Sequence, residues 1–592
     1  MFHTDVLIIG SGPAGASAAL LCSTYGLSNM VVTKYRWLAD SPRAHYINQR
    51  TMEIMKDIGV DEEIIQKASP LEVMGNVVFC TSINGEELGR LPYGANRASR
   101  KTDYAVSSPC KQCDLPQHLL EPILLSNAAS RGSHVRFDAE YLDHVQDEDG
   151  VTVRIMDRLT GVPYFIRTKY LLGADGGNSK VAANLDLPME GNMGISGSIR
   201  IIFNADLSKY ISHRPGYLWW VLQPGANIGG IGMGLLRMVR PWNEWQIVWG
   251  YDINGELPDL SDENVTKIAH QLIGDDQVPI EIKTASVWKV NQMYATRYSS
   301  GRVFCLGDAV HRHPPSNGLG SNSSIQDAYN LIWKLDLVLK GKASVALLDS
   351  YNEERTPIGK QIVNRANLSI REFAPIFEAL GLTDTQDVEK MKANMAIIKE
   401  SSEEGAVRRE KLRKAIELKS YEFATQGTEL NIRYESSAIL TDHAVPPVLL
   451  RDKDLYYQPS TFPGNRLPHV WFNKDGQEVS SLTIAGKGKF VLLTGIGGED
   501  WLAAAAAAEA EFAVSIRTFI IGPGRDVQDL YGDWAEIREV KEEGCILVRP
   551  DGYIMWRSIA GLETNSQLTD VFRGLLGLNE TVSSERSFEG KL

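Results

Sequence analysis

The chain lacks the features that mark membrane, secreted and nucleic-acid-binding proteins. It has no apolar run approaching the roughly 18 to 20 residues that cross a bilayer, and residues 5–10 are predicted to form a strand rather than a cleavable signal. Its 61 basic residues are outnumbered by 74 acidic ones, and the formal charge of -13 argues against nucleic acid and anionic membranes as partners. The terminal Gly590-Lys591-Leu592 is a poor match to a peroxisomal address, because glycine is a weak first residue for it. We therefore expect a cytoplasmic protein that acts on a small molecule.

Cysteine is also scarce, with six residues in 592, so no disulfide framework is indicated. Cys110 and Cys113 have the spacing of a redox motif, yet no second pair for zinc and no thioredoxin-type strand accompany them, which favours ordinary thiols. His311 and His313 are separated by an arginine and have no third ligand nearby. We therefore predict no metal site.

The chain begins with a predicted βαβ unit that contains a glycine-rich turn. Residues 5–9 form an apolar strand, residues 16–25 a helix and residues 29–33 a second strand. The turn before the helix is Gly10-Ser11-Gly12-Pro13-Ala14-Gly15, the GxGxxG sequence of a dinucleotide-binding loop. Its three glycines permit, in order, the tight turn, the approach of a pyrophosphate and the packing of helix on strand.

This loop alone does not distinguish FAD from NAD. An acid normally follows the second strand of such a unit and holds the ribose 2′-hydroxyl. Here the strand is followed by Lys34 and Arg36 instead. We expect one of these cations to contact the nucleotide.

Residues 301–334 form the most informative segment of the sequence. A predicted buried strand at residues 303–306 leads to Asp308, where an acid can hydrogen-bond a cofactor hydroxyl. The following Pro314-Pro315-Ser316-Asn317-Gly318-Leu319-Gly320 leaves several backbone N–H groups unpaired at the start of a helix. We expect this loop to face a partly negative edge of a ligand.

Residues 197–251 alternate in polarity and are rich in tryptophan. Antiparallel strands are predicted at residues 199–203, 217–222, 232–238 and 245–251. A sheet of this kind suits an aromatic ligand, although each single ring could equally fill a core.

Three motifs together resemble those of the single-component FAD-dependent aromatic hydroxylases: residues 10–15, Asp175-Gly176-Gly177-Asn178-Ser179, and Gly307-Asp308. The likeness to the phenol hydroxylase branch covers nearly the whole chain and includes residues 42–54, 113–117, 237–243 and 301–334. It implies that the first motif binds the ADP part of FAD, the middle one serves FAD and the nicotinamide cofactor, and the last holds the ribityl chain. The arginine that usually closes the middle motif is absent, because Ala182 follows Ser179-Lys180-Val181.

The pattern and the resemblance together predict a fold of the α/β and α+β classes. A discontinuous Rossmann-type FAD-binding domain is predicted at residues 1–75, 105–185 and 300–375, and an antiparallel-sheet substrate domain at 76–104 and 186–299. A charged helical bridge follows at 376–440, and a thioredoxin-like C-terminal domain without redox cysteines at 441–592. That domain implies a homodimer or homotetramer.

The implied activity is a hydroxylation that consumes O2 and either NADPH or NADH. One oxygen atom enters a substituted phenol ortho to its hydroxyl through a flavin C4a-hydroperoxide, and the product is a catechol. One alternative is hydroxylation of a polyketide-like or quinone-like ring, with dearomatisation or loss of a substituent. Another is a non-catalytic flavin-binding protein that serves in assembly.

The predicted cofactor-binding residues are those that match the motifs of the family. Pro315 is expected to act through its carbonyl, since proline has no N–H, and the N–H groups after it face the N1–C2=O edge of the reduced flavin. The full set is Gly10, Gly12, Pro13, Ala14, Gly15, Lys34, Arg43, Gln117, Asp175, Asp308, Pro315, Gly318, Gly320, Ser321 and Asn322.

The catalytic candidates also follow from the resemblance, with Pro315 beside the reacting oxygen. His45 matches the position of the phenol-contacting residue in this branch and could accept the phenol proton; a core histidine bonded to backbone is the alternative. Asp114 either caps the helix that follows it or orients His45 and relays its proton. Trp220 is expected to wall the pocket and Arg237 to steer the flavin or the nicotinamide, with core and surface roles as alternatives.

Overall fold

The computed structural model describes residues 2–225, 231–441 and 444–578. The terminal residues 590–592 lie outside the described part. The chain divides into two compact units: unit 1 comprises Met1–Ala328, Thr356–Asn431 and Leu450–Gln458, and unit 2 comprises Tyr329–Arg355, Ile432–Leu449 and Pro459–Leu592. Among the described residues, no helix is long and apolar enough to cross a membrane.

Unit 1 contains a mostly parallel sheet that gathers the three sequence motifs. The register pairs Ile9 with Gly173 and Gly173 with Cys305, so the three strands that carry the motifs end at one edge of the sheet. Along the sheet the strands follow the order Ser299–Ser300, Val303–Cys305, Pro163–Gly173, Phe2–Ile9, Asn29–Val32 and His134–Arg136, with Ala139–Gln146 and Val151–Asp157 pairing antiparallel beside Pro163–Gly173.

The second sheet of unit 1 is the tryptophan-rich one. Trp219 and Trp245 are fully buried on one face, whereas Trp220 and Arg237 lie on the opposite face, because Leu218 pairs with Arg237 and Trp220 with Leu235. Its strands follow the order His311–Arg312, Glu281–Ala295, Met189–Asn204, Glu244–Tyr251, Ile231–Arg240, Leu218–Pro224, Asn76–Cys80 and Glu87–Pro92.

Helices cover both sheets, and a two-stranded ribbon pairs Tyr46–Ile47 with Cys113–Asp114. The helices of more than one turn are Pro13–Thr24, Gln49–Asp57, Asp61–Lys67, Lys101–Ser107, Gln117–Ser130, Lys180–Asn184, Asp262–Ile273, Leu319–Leu339, Asp349–Arg371, Ala374–Ala379, Val388–Ala396, Glu403–Leu418 and Gln426–Leu430, with the shorter Ser208–Ile211 and Ser420–Phe423.

Unit 2 is built on a mixed sheet. The alanine-rich helix Asp500–Phe512 connects the parallel strands Phe490–Gly495 and Ile516–Ile521, and the Asp551-Gly552 turn joins Cys545–Val548 to Ile554–Ser558. Along the sheet the strands follow the order Gln477–Ser480, Trp471–Lys474, Val527–Asp529, Ile516–Ile521, Phe490–Gly495, Cys545–Val548 and Ile554–Ser558, and the remaining helices are Ser481–Ile484, Asp533–Ile537 and Gln567–Leu575.

A buried cluster of charges holds residues 329–355 within unit 2. Both carboxylate oxygens of Glu354 accept hydrogen bonds from Arg549, at 2.6 and 2.7 Å, and Lys334 Nζ lies 2.9 Å from one of them. Arg549 also donates to Asp551 at 2.7 Å. Burial alone would raise the pKa of Glu354, but Arg549 and Lys334 outweigh it and hold that pKa well below its usual range. The carboxylate is therefore charged and fully compensated.

Replacing Glu354 by alanine should destabilise unit 2 strongly. The variant leaves Arg549 and Lys334 buried without their shared partner, which costs about 3 to 5 kcal/mol. Thermal unfolding measures the loss, and the control is Asp526→Ala, which removes an exposed carboxylate elsewhere in unit 2. Equal melting temperatures for the two variants would contradict the role given to this cluster.

Candidate active site

The glycine-rich loop at residues 10–15 forms a cradle at the edge of the parallel sheet. Gly10 has a positive φ of 108°, and a Cβ there would lie 2.2 Å from the Ala174 carbonyl oxygen; a Cβ on Gly15 would lie 2.0 Å from the Gly10 oxygen. Around Gly12 the nearest atom would be 3.9 Å away, and no side chain caps the helix that starts at Pro13. The free N–H groups of this helix face open space and suit a pyrophosphate.

A second loop, residues 314–322, is here called the proline–glycine loop, and it is held from two sides. Asn317, at a φ of 65°, donates from Nδ2 to the Tyr421 carbonyl at 2.7 Å, and its Oδ1 accepts from the Ser369 hydroxyl at 2.8 Å. Asn322 donates to the Tyr46 carbonyl at 2.9 Å. A Cβ on Gly318 would lie 2.9 Å from the Tyr46 ring. The Gly318 N–H, which was expected to face the ligand, donates to the Pro315 carbonyl at 3.1 Å inside the loop. The loop geometry is therefore fixed by the protein.

His45, Asp114 and Arg237 form a buried row of three side chains. The ribbon pairs Tyr46 with Asp114, and the Leu115 N–H donates to the His45 carbonyl at 2.8 Å, so His45 and Asp114 are adjacent although 69 positions apart. Asp114 has no exposed surface. One carboxylate oxygen accepts from Arg237 at 2.5 Å, and the other lies 3.4 Å from His45 Nδ1.

The protonation states of this row follow from its burial and charges. Burial and the Arg237 cation lower the pKa of His45 from 6.5 to about 4, against the opposing effect of Asp114. Burial raises the pKa of Asp114, but Arg237 and His45 outweigh it and keep the carboxyl below its usual range. At neutral pH the row is therefore a cation, an anion and a neutral imidazole.

Several buried polar atoms in this region find no hydrogen-bond partner among the described residues. They are both ring nitrogens of His45, Trp220 Nε1 and Arg237 Nε. Buried polar groups in proteins are otherwise almost always satisfied. The arrangement is therefore that of a site completed by a ligand with polar groups of its own. Trp220 and Phe373 form an aromatic face of this site, and their ring centroids are 4.4 Å apart.

Comparisons with known proteins agree with this geometry. A family model described as FAD binding domain matches residues 3–366, and one described as aromatic-ring hydroxylase, C-terminal, matches residues 460–578. The chain is 51% identical to 2,4-dichlorophenol 6-monooxygenase of Delftia acidovorans, over 94% of this chain and 95% of that protein. It is 49% identical to phenol 2-monooxygenase of a Pseudomonas species, strain EST1001, over 97% and 93% of the two chains.

The chain belongs to the FAD-dependent aromatic-ring hydroxylases. Among solved structures, the flavin-dependent monooxygenase PieE, in complex with FAD and substrate, matches with a TM-score of 0.94 and 40% identity over 98% of this chain and 100% of that one. The resemblance to the phenol hydroxylase branch, the mixed α/β fold with an FAD-binding domain, and FAD as cofactor are thereby confirmed.

For this hydroxylase, the structure also shows what the other predicted residues do. Asp114 does not cap the following helix, because that helix starts at Gln117 with no side-chain cap. The Arg237 guanidinium binds Asp114, and its expected role in steering the flavin or the nicotinamide stays a prediction. The Asp175 carboxylate accepts from the backbone N–H of Lys180 at 2.7 Å, at the start of the helix Lys180–Asn184, whose N-cap is Ser179.

Three further predicted cofactor residues, Gln117, Lys34 and Asp308, have the following surroundings in the structure. Gln117 donates to Glu121 at 2.5 Å, and its N–H donates to the Arg43 carbonyl. The Lys34 side chain is exposed and lies 5.3 Å from the centroid of the Tyr35 ring. Asp308 lies in an exposed position in the turn after the strand Val303–Cys305.

Several residues of the site were not singled out by sequence. Glu121 Oε1 is the atom nearest to Gly12, and Glu121 also accepts from the Ala39 N–H at 2.8 Å. Arg200 and Gln246 lie on the same sheet face as Arg237, and each has a buried polar atom without a partner among the described residues. The helical position of Glu121, one turn after Gln117, is the one signal that could have suggested it.

Two glycine variants should separate binding of FAD from folding. The methyl group of Gly12→Ala has room in the protein itself, so we expect the thermal stability of the apoprotein to be unchanged. We expect the dissociation constant for FAD to rise about tenfold or more, which corresponds to a loss of about 1.4 kcal/mol in binding free energy. The methyl group of Gly15→Ala would collide with the backbone, so this variant should lower the melting temperature of the apoprotein as well. Flavin titration and thermal unfolding measure both effects; wild-type FAD affinity in Gly12→Ala would refute the cradle.

Proposed function

We propose that this protein hydroxylates a substituted phenol ortho to its hydroxyl, consuming O2 and NAD(P)H and releasing a catechol, NAD(P)+ and water. The observation that supports this most directly is the neutral, buried imidazole of His45: its Nδ1 faces the Asp114 carboxylate at 3.4 Å, and its Nε2 has no hydrogen-bond partner among the described residues. The names of the relatives at about half identity, a dichlorophenol and a phenol monooxygenase, support the same substrate class.

His45 is the acceptor for the phenol proton in this proposal. The ionised Asp114 can only accept, so the proton of the neutral imidazole belongs on Nδ1 and leaves the Nε2 lone pair for the phenol. Taking up the phenol proton pushes electron density onto the ortho carbon. Because Arg237 balances the charge of Asp114, the imidazolium is held weakly and His45 can return the proton after the ring has been oxygenated.

The remaining residues shape the site around this acceptor. When bound, FAD supplies the redox chemistry: it takes electrons from NAD(P)H and transfers one oxygen atom of O2 to the ring. Trp220 and Phe373 offer an aromatic wall. The Pro315 carbonyl accepts from the Gly318 N–H at 3.1 Å, and its second lone pair is the one left for a ligand. A cleft of about 360 Å³ beside the middle motif, lined by Gly177, Asn178, Ser179 and Arg312 among others, is where we place the approach of the nicotinamide. The homodimer or homotetramer and the thioredoxin-like nature of unit 2 stay predictions.

Replacing His45 by alanine should separate electron transfer from hydroxylation. We expect bound FAD and NAD(P)H oxidation to persist, product formation to fall by about 10²–10⁴-fold, and the electrons to appear as hydrogen peroxide. A panel of phenols, scored for NAD(P)H consumed against catechol formed, measures this. The matched control is His134→Ala, at an exposed strand position. Coupled turnover in His45→Ala would contradict the assignment, and a larger quinone-like ring as the best substrate would favour the alternative reaction.

The acid limb of the pH profile should report on His45. Protonation removes the acceptor, and the pKa of His45 is lowered to about 4, so kcat/KM should hold from pH 8 down to about pH 5 and fall below it. Arg237→Met removes a cation that lowers this pKa, so the acid limb of the pH profile of this variant should move up toward pH 6.5. The stability of the fold changes with pH in the same direction as the activity. His45 takes up a proton at higher pH in the unfolded chain than in the folded one, so acidification lowers the free energy of unfolding. An acid limb near pH 6.5 in the wild-type protein would contradict the role proposed for His45.

A further inference from the structure

Tyr46, the neighbour of His45, connects three parts of the site. Its backbone pairs with Asp114 in the ribbon, its carbonyl accepts from Asn322 of the proline–glycine loop at 2.9 Å, and its ring lies against Gly318 of the same loop. A displacement of Tyr46 would therefore move His45 and the loop together.

The hydroxyl of Tyr46 ends at a buried carboxyl that the proposed reaction does not use. It donates to Glu429 Oε1 at 3.2 Å and lies at the same distance from Gln112 Oε1. Glu429 is 4% exposed and belongs to the helix Gln426–Leu430, in the segment that sequence predicted to be a bridge. The neighbouring Tyr421 carbonyl, also in that segment, holds Asn317 from the other side of the loop.

We propose that Glu429 is a positioning residue: through Tyr46 it fixes His45 and the proline–glycine loop in the arrangement that binds FAD and holds the phenol. This inference rests on the proposed function for its catalytic meaning. The part that concerns the binding of FAD does not depend on the proposed function.

The surroundings of Glu429 make its protonation state important. The charged groups on the elements packed against its helix have partners of their own, since Arg50 pairs with Glu53 at 3.1 Å and Asp103 with Arg100 at 2.9 Å. Lys453 and Asp454 contribute backbone carbonyls to this helix region, and Tyr93 and Tyr104 are buried aromatic neighbours. No cation among the described residues is bonded to Glu429.

Burial accordingly raises the pKa of Glu429 to about 8, with the bond from Tyr46 as the opposing effect. The carboxyl is therefore neutral at pH 7 and accepts the hydrogen bond from Tyr46. As the pH rises through 8 it ionises in a site without a counter-charge, which is unfavourable, and the hydrogen bond from Tyr46 offsets only part of that cost. If only the protonated form holds the loop, the dissociation constant for FAD should rise about tenfold between pH 7 and pH 9.

The test is a flavin titration of the full-length apoprotein at pH 7 and pH 9. Glu429→Gln keeps a neutral group of the same shape, so its FAD affinity should match wild type at pH 7 and stay within about twofold at pH 9. Tyr46→Phe keeps the ring on Gly318 but loses the hydrogen bond, and should bind FAD about fivefold more weakly at pH 7 with little further change at pH 9. Glu417→Gln, which removes a half-exposed carboxylate of the same segment, is the control and should show the wild-type rise.

The titration distinguishes a positioning role of Glu429 from a role in packing alone. A wild-type affinity that does not change with pH, or a Glu429→Gln variant that still weakens tenfold, would overturn the inference, since a role in packing alone predicts no link between this carboxyl and the pH dependence. Glu429→Gln is close in size to the native residue, so the test does not depend on a variant that fails to fold. If no phenol is hydroxylated, the proposed function fails while the titration still decides the role of Glu429.

Discussion

The Asp114 carboxylate, which has no exposed surface, is the group on which the rest of the site depends. One oxygen binds Arg237 and the other faces His45, while its backbone pairs with Tyr46 and accepts from the Ser69 N–H. A buried carboxylate of this kind is tolerated only with a partner. Arg237 supplies that partner, and together with burial, which has the larger effect, it keeps His45 neutral against the opposing effect of Asp114. The ion pair therefore contributes to both the stability and the proton chemistry of the site.

The same carboxylate connects the two sheets of unit 1. Arg237 reaches it from the tryptophan-rich sheet, whereas the ribbon that carries Asp114 leads into the helix Gln117–Ser130, whose Glu121 lies beside the glycine-rich loop. His45 and the glycine-rich loop are thereby fixed to one framework. This is what an oxygen transfer needs, because the reacting atoms have to be held within a few tenths of an ångström of their productive geometry.

The sequence predicted those parts of the site whose signal is local. The glycine-rich loop, the strand that leads to Asp308 and the proline–glycine loop each carry their backbone requirement in consecutive residues, and the parallel register brings them to one edge. The pairing of His45 with Asp114 depended on the resemblance, because no local pattern shows that residues 69 positions apart form a ribbon. The contacts of Arg237 with Asp114 and of Glu429 with Tyr46 could not be predicted, since a guanidinium or a carboxyl in sequence gives no indication of which distant group it meets. Glu429 in particular lies among charged helices that suggested a solvated bridge, and only the tertiary structure shows it buried against Tyr46.

The most direct measurement of the central claim is a crystal structure of the protein with FAD and a phenol. The account predicts that the phenol oxygen lies about 2.6 to 3.2 Å from His45 Nε2, with its ortho carbon turned toward the proline–glycine loop and the Asp114–Arg237 pair intact. A phenol whose hydroxyl points away from His45, or a His45 bonded to backbone in the complex, would contradict it.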